Sequence, residues 1–225
     1  MIRPYLFPFL AFMLLFPVAD LFRQSLEEKP DAAWWQLYPE HWVYPLQTVL
    51  CTILLAFYWK HYDFGKLRGS IWAGVGGGLL IFALWVLPWH LPWFEPRLEG
   101  FDPTIFADDP VIYQLVVTMR FLRLVVVVAL IEEIFWRGFL MRYLVKEDFL
   151  SVKFGAYTPM AFWAVAVLFM LGHQVADYPA ALVAGILFNL LAVWKKNLAC
   201  CVLAHAVANL ALGIYIMQTG HWGFW

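Results

Sequence analysis

Long apolar runs separated by short polar stretches organise this sequence from end to end. A helix needs about 20 mostly apolar residues to cross the ~30 Å hydrocarbon layer of a bilayer. Seven segments qualify as candidate spans: roughly Pro4 to Phe22, Trp42 to Trp59, Ser70 to Trp89, a region from Val111 to Tyr143, Pro159 to Ala176, Pro179 to Trp194 and Leu198 to Met217. The third contains "AGVGGGLL", whose small residues let a neighbouring helix come close. The fourth region is too long for one simple span. Its first part, "YQLVVTMRFLR", carries Arg120 and Arg123 three apart on one helical face. That part either lies along the interface or extends a tilted helix beyond it. The spanning part is then about Leu124 to Val145, with Glu132 near its middle.

Composition turns the pattern into a class. The 225 residues are 64% apolar and 14% charged, with a mean hydropathy of +0.72. A soluble domain averages roughly 45–50% apolar and about 25% charged. One soluble core cannot hide that excess, so an all-α, polytopic membrane protein in contact with the lipid bilayer is expected. The 13 Trp and 10 Tyr suit it, because such rings collect at the headgroup level. A formal net charge of −1 supplies no basic footprint, so nucleic acid is not an expected partner. Cys51, Cys200 and Cys201 lie in apolar runs without metal-site spacing and read as packing residues. No cleavable signal peptide is evident, so the first apolar run is expected to remain as a membrane helix.

Loop charge gives orientation. Arg3, Lys60, Lys66, Arg68, Arg142, Lys146, Lys153, Lys195 and Lys196 fall on one side, against Arg23, Lys29 and Arg97 on the other. Nine against three predicts a cytoplasmic N-terminus and an outer C-terminus. The loop from Leu91 to Pro110, with Glu95, Glu99, Asp102, Asp108 and Asp109, is then on the outer side.

Ionisable groups inside a membrane cost about 2.5–3.5 kcal/mol each on insertion scales and are therefore candidates for function. Three clusters stand out. In "EEIFWR", Glu133 and Arg137 are four apart and can pair, while Glu132 points about 100° away and lacks that partner. An unpartnered carboxylate in apolar surroundings suits a general base; the competing view is a structural ion network. In "FMLGH", Phe169 and His173 share a face, though a single histidine near a helix end is usually a packing residue. In "HAVAN", His205 and Asn209 project side by side and could stabilise an oxyanion, or act as an interhelical clasp. Together, a free carboxylate, two histidines and an amide donor on neighbouring helices make a hydrolytic site. His41, His61, His90 and His221 lack such companions and read as interfacial.

The three clusters resemble, in order, the EExxxR, FxxxH and HxxxN motifs of the CPBP family of intramembrane proteases, also called the ABI family. That family includes the type II CAAX prenyl endopeptidases. "NLACCVLAHAVANL" is similar to the family's usual approach to its third motif, and the resemblance covers about Leu124 to Ala211. It divides the chain into motif-free helices over 1–110 and a catalytic helical core over 111–225. It implies that Glu132 and His173 activate a water, and that His205 and Asn209 stabilise the oxyanion. It also implies that Glu133, Arg137 and Phe169 organise the site, with no metal and no cofactor. The expected substrate is a membrane-associated protein or peptide, and the expected location a bacterial inner membrane.

His173 falls nearer the outer end of its helix than Glu132 and His205 do. Their meeting requires a tilt, an irregular stretch around Gly172, or shifted boundaries. A protein-lined, water-filled cavity among the last four helices is expected, since irregular backbone in a membrane must line one. Two other readings are open on sequence. Glu132, His173 and His205 have the ligand types of a zinc site, although nothing resembles HExxH. A non-catalytic transporter, scaffold or peptide-binding immunity factor could also hold such groups, although no inverted repeat supports a transporter.

Overall fold

Pro110 and Pro159 open helices where the preceding residue can cap them. Asp109 accepts from the N–H groups of Val111 and Ile112, and Thr158 from that of Ala161. Asn197 caps the helix start at Leu198 in the same way, through the Cys200 N–H. The computed structural model, which describes residues 2–24 and 33–225, holds ten α-helices and no strand among the described residues. They are α1 (Arg3–Gln24), α2 (Trp34–Leu37), α3 (Glu40–Tyr58), α4 (Ile71–Val86), α5 (Pro110–Phe121), α6 (Ala129–Glu133), α7 (Met141–Tyr143), α8 (Pro159–Leu171), α9 (Tyr178–Lys195) and α10 (Leu198–Thr219). The all-α expectation holds. Lys29, counted above among the outer basic residues, lies outside the described residues.

Among the described residues, five helical stretches are long and apolar enough to cross a membrane: Glu40–His61, Ile71–His90, Pro110–Tyr143, Val175–Lys195 and Leu198–Thr219. Two shorter apolar stretches, Arg3–Ala19 and Pro159–Leu171, complete the seven segments expected from the sequence. Together they support a multi-pass membrane protein.

The overlong fourth region is one continuous helix. Its 34 residues from Pro110 to Tyr143 would reach about 50 Å at 1.5 Å per residue, well beyond the hydrocarbon layer. It is not uniform. Two π-helical stretches, Leu122–Val128 and Ile134–Leu140, flank the short α6. Such stretches mark functional sites more often than chance, because the wider turn redirects side chains and frees carbonyls.

Packing places this rod at the centre. The first π stretch and α6 lie against α10, and α1 also touches α6. On its other face α10 runs along α4, and α9 packs between α8 and α4. The glycines of "AGVGGGLL" make the α4–α10 approach possible: a Cβ on Gly78 would stand 2.4 Å from the Ala204 carbonyl oxygen.

The two loop groups separate to opposite ends. At one end Tyr5 Oη donates to His61 O, Tyr62 Oη to Pro4 O, and Asn197 Nδ2 to Lys66 O. These bonds gather the loops that carry most of the basic residues. At the other end the 91–109 loop packs on the last residues of the chain, with the Arg97 guanidinium donating to Gly223 O. His41, expected at the interface, is instead buried there, its ring 4.4 Å from that of Phe101.

Candidate active site

The α6 segment sets two adjacent carboxylates in different surroundings. Glu133 is fully buried, and its Oε1 accepts from Arg137 Nη1 at 2.9 Å. The same oxygen lies 2.9 Å from His205 Nδ1, 72 residues further along the chain. A carboxylate paired with arginine can only accept, so Nδ1 carries the proton. Arg137 is equally enclosed: its Nε donates to Asn189 Oδ1 at 3.1 Å and Nη2 to the Gly185 carbonyl at 3.3 Å. Asn189 in turn donates to Phe162 O at 2.8 Å, linking α8, α9 and the central rod. Phe169 and Phe188 lie on the guanidinium at 4.8 and 4.9 Å.

Glu132, one residue earlier, turns toward a cavity of about 1260 Å³. His173, His205 and Asn209 line the same cavity, whereas Glu133 and Arg137 do not. The Glu132 carboxylate oxygen Oε2 is buried without a hydrogen-bond partner. The expected cavity therefore exists, although α1 and α4 contribute to its wall through Phe12 and Trp85 as well as the last four helices.

His173 reaches the cavity through the irregular stretch anticipated at Gly172. Helix α8 ends at Leu171, and the Gly172 N–H is shared between Leu168 O and Phe169 O. His173 follows with its Nδ1 2.7 Å from the Phe169 carbonyl. That carbonyl can only accept, so Nδ1 is the protonated nitrogen and the neutral ring presents Nε2 as an acceptor. The rings of Phe169 and Trp85 hold the imidazole at 4.7 and 5.4 Å. Phe169 thus packs between Arg137 and His173.

Asn209 is partly engaged elsewhere. Its Nδ2 donates to Leu124 O at 2.7 Å, a carbonyl in the first π stretch. This is an interhelical clasp of the kind weighed as the alternative, and it leaves the second amide hydrogen uncommitted. Among the described residues, no group of three His, Cys, Asp or Glu side chains is close enough to hold a metal ion, so the zinc arrangement has no preformed ligand set there.

Asn189 and the Gly185 carbonyl were not anticipated. Asn189 had a signal, as an uncharged amide in the apolar run "AGILFNLLAV". The carbonyl had none, since any helical residue has one.

No curated protein and no solved structure matches the chain. A family model does, over residues 113–211, with the description "Type II CAAX prenyl endopeptidase Rce1-like". The matched stretch begins on α5 and ends on α10, and it contains Glu132, His173, His205 and Asn209 together with the buried ion pair. Over that stretch, just under half of its length, the chain is similar to the Rce1-like family, which supports assigning it there.

Proposed function

We propose that this protein is an intramembrane endopeptidase that hydrolyses a peptide bond of a membrane-associated protein or peptide, with Glu132 as general base. CAAX-protease-like peptidase activity is what the family implies in general. The observation that carries the finer reading is the division of labour within α6. Glu133 is held through Oε1 by Arg137 and His205 and lies outside the cavity wall, while Glu132 lines the cavity; Oε2 of each carboxylate is without a partner.

In this reading a water sits between Glu132 and His173 Nε2. Glu132 takes one of its protons as the oxygen attacks the scissile carbonyl carbon. The negative charge that develops on the carbonyl oxygen is met by Asn209 and by Nε2 of His205, protonated while Glu133 holds its Nδ1–H. Glu132 then returns the proton to the amine nitrogen as the C–N bond breaks. Two elements of burial support the scheme. The cavity admits water, and the pair beneath it fixes the His205 ring without touching substrate.

The reading also takes residues 111–225 as the catalytic core and the earlier helices as its walls. The N-terminus is placed in the cytoplasm of a bacterial inner membrane, following the basic loops. It uses no metal or cofactor.

Comparing membrane-protein termini by mass spectrometry, in cells with wild type or Glu132→Ala at matched levels, tests it. New termini confined to wild type are expected. Identical termini with both variants folded and abundant would refute peptide hydrolysis and favour a binding or transport role.

A further inference from the structure

Arg120 and Arg123 take no part in the proposed hydrolysis, yet both line the cavity that holds Glu132. Both are buried, at 5% and 2% exposure. Both guanidiniums lie over the Tyr44 ring, at 4.9 and 4.2 Å. Phe101 flanks Arg120 at 4.7 Å and Phe12 flanks Arg123 at 5.2 Å, so an aromatic frame positions the pair.

The frame supplies few acceptors. Arg123 Nε donates to Gln47 Oε1 at 2.9 Å, and Gln47 is itself fixed by donating to Phe12 O at 2.6 Å. Arg123 Nη2 and Arg120 Nε and Nη1 are buried and meet no acceptor. Neither arginine forms an ion pair among the described residues. Glu40 acts electrostatically on Arg120, and Glu132 on Arg123, without a direct ion pair to either guanidinium. Buried cations without anions are costly, and two side by side repel each other. The arrangement is therefore completed by an anion that enters the cavity.

We infer that Arg120 and Arg123 form an anion subsite that takes a free carboxylate of the peptide substrate. This rests on the peptidase reading above. The planar fork of arginine matches a carboxylate through paired N–H donors. A phosphate headgroup would share that chemistry, but the arginines face the cavity between α1, α3 and the central rod rather than the lipid. The subsite and Glu132 share one continuous space, so one extended peptide can reach both.

The test uses the purified full chain in detergent and an N-dansylated apolar hexapeptide, as the free acid and as its C-terminal amide. Binding is read by fluorescence on the Glu132→Ala chain, which removes turnover. The acid is expected to bind about tenfold to a hundredfold more tightly than the amide. Arg120→Gln with Arg123→Gln should bring the acid to the level of the amide, and Arg123→Lys should recover the preference only in part. Acid binding no tighter than amide binding to the unmodified arginines overturns the subsite, and that comparison needs no arginine variant to fold. Arginine-dependent binding of dodecyl phosphate in place of the peptide acid also overturns it, in favour of a lipid phosphate. Incubating both peptides with the wild-type chain separates the two ideas. Acid-selective binding without cleavage supports the subsite and counts against the peptidase reading; cleavage of acid and amide alike does the reverse.

Discussion

Replacing Arg137 by alanine tests the layer beneath the cavity. The change leaves Glu133, fully buried, with only His205 to share its charge, and deprives Asn189 Oδ1 and Gly185 O of their donor. Breaking a buried ion pair from one side costs about 3–5 kcal/mol, because the remaining charge is stranded. For a chain of this size each kcal/mol shifts the melting temperature by roughly 2–4 °C. A fall of about 6–20 °C is expected. It is measured by heating detergent-solubilised protein and following the monodisperse peak by size-exclusion chromatography. A second variant separates packing from charge. Glu133→Leu with Arg137→Met removes both charges while keeping apolar volume, and should regain most of the lost stability. It should not regain proteolysis, because the His205 ring loses its Nδ1 acceptor. The reasoning is refuted if Arg137→Ala melts within about 2 °C of wild type, or if the double variant is no more stable than the single one.

Asn209→Ala should lower turnover about 100- to 1000-fold, the usual loss on removing an oxyanion donor. It should also cost about 1–3 kcal/mol in thermal stability, since Leu124 O loses its amide partner; full turnover in single-cycle assays would assign Asn209 to the clasp alone. Gly78→Val should prevent α4 from seating on α10, because its Cβ meets the Ala204 carbonyl oxygen at 2.4 Å. The readout is loss of the monodisperse species, and normal yield of folded protein would contradict the packing described. Glu132→Ala, by contrast, removes a carboxylate with a vacant oxygen and should abolish new termini while leaving the melting temperature unchanged.

Sequence periodicity reads contacts along one helix well. The spacing of Glu133 and Arg137 predicts their pairing, and it survives although residues 134–140 wind as a π-helix. Four residues still cover most of one wider turn. The offset of Glu132 from that face is legible for the same reason. The glycines of α4 likewise announce a close neighbour, without naming α10. Helix ends were read less well: Ala176 was expected inside the fifth span, but α8 stops at Leu171. The chain needs that early stop, since Gly172 turns His173 back onto the Phe169 carbonyl and into the cavity.

Contacts between distant segments follow a different logic. Burial in a membrane identifies side chains that are expensive, but not which of them meet. His205 was expected to work beside Asn209, its neighbour at four residues. In the fold both line the cavity, and each also finds an anchor on the central rod, His205 on Glu133 and Asn209 on Leu124. Arg120 and Arg123 were placed correctly on one face, yet what encloses that face comes from Tyr44, Phe12 and Phe101, each far away in sequence. Asn189 shows what decides the outcome. With Asn189 and Gly185 O accepting from Nε and Nη2, Arg137 stays with Glu133, and the carboxylate one residue away lines the cavity without an arginine partner.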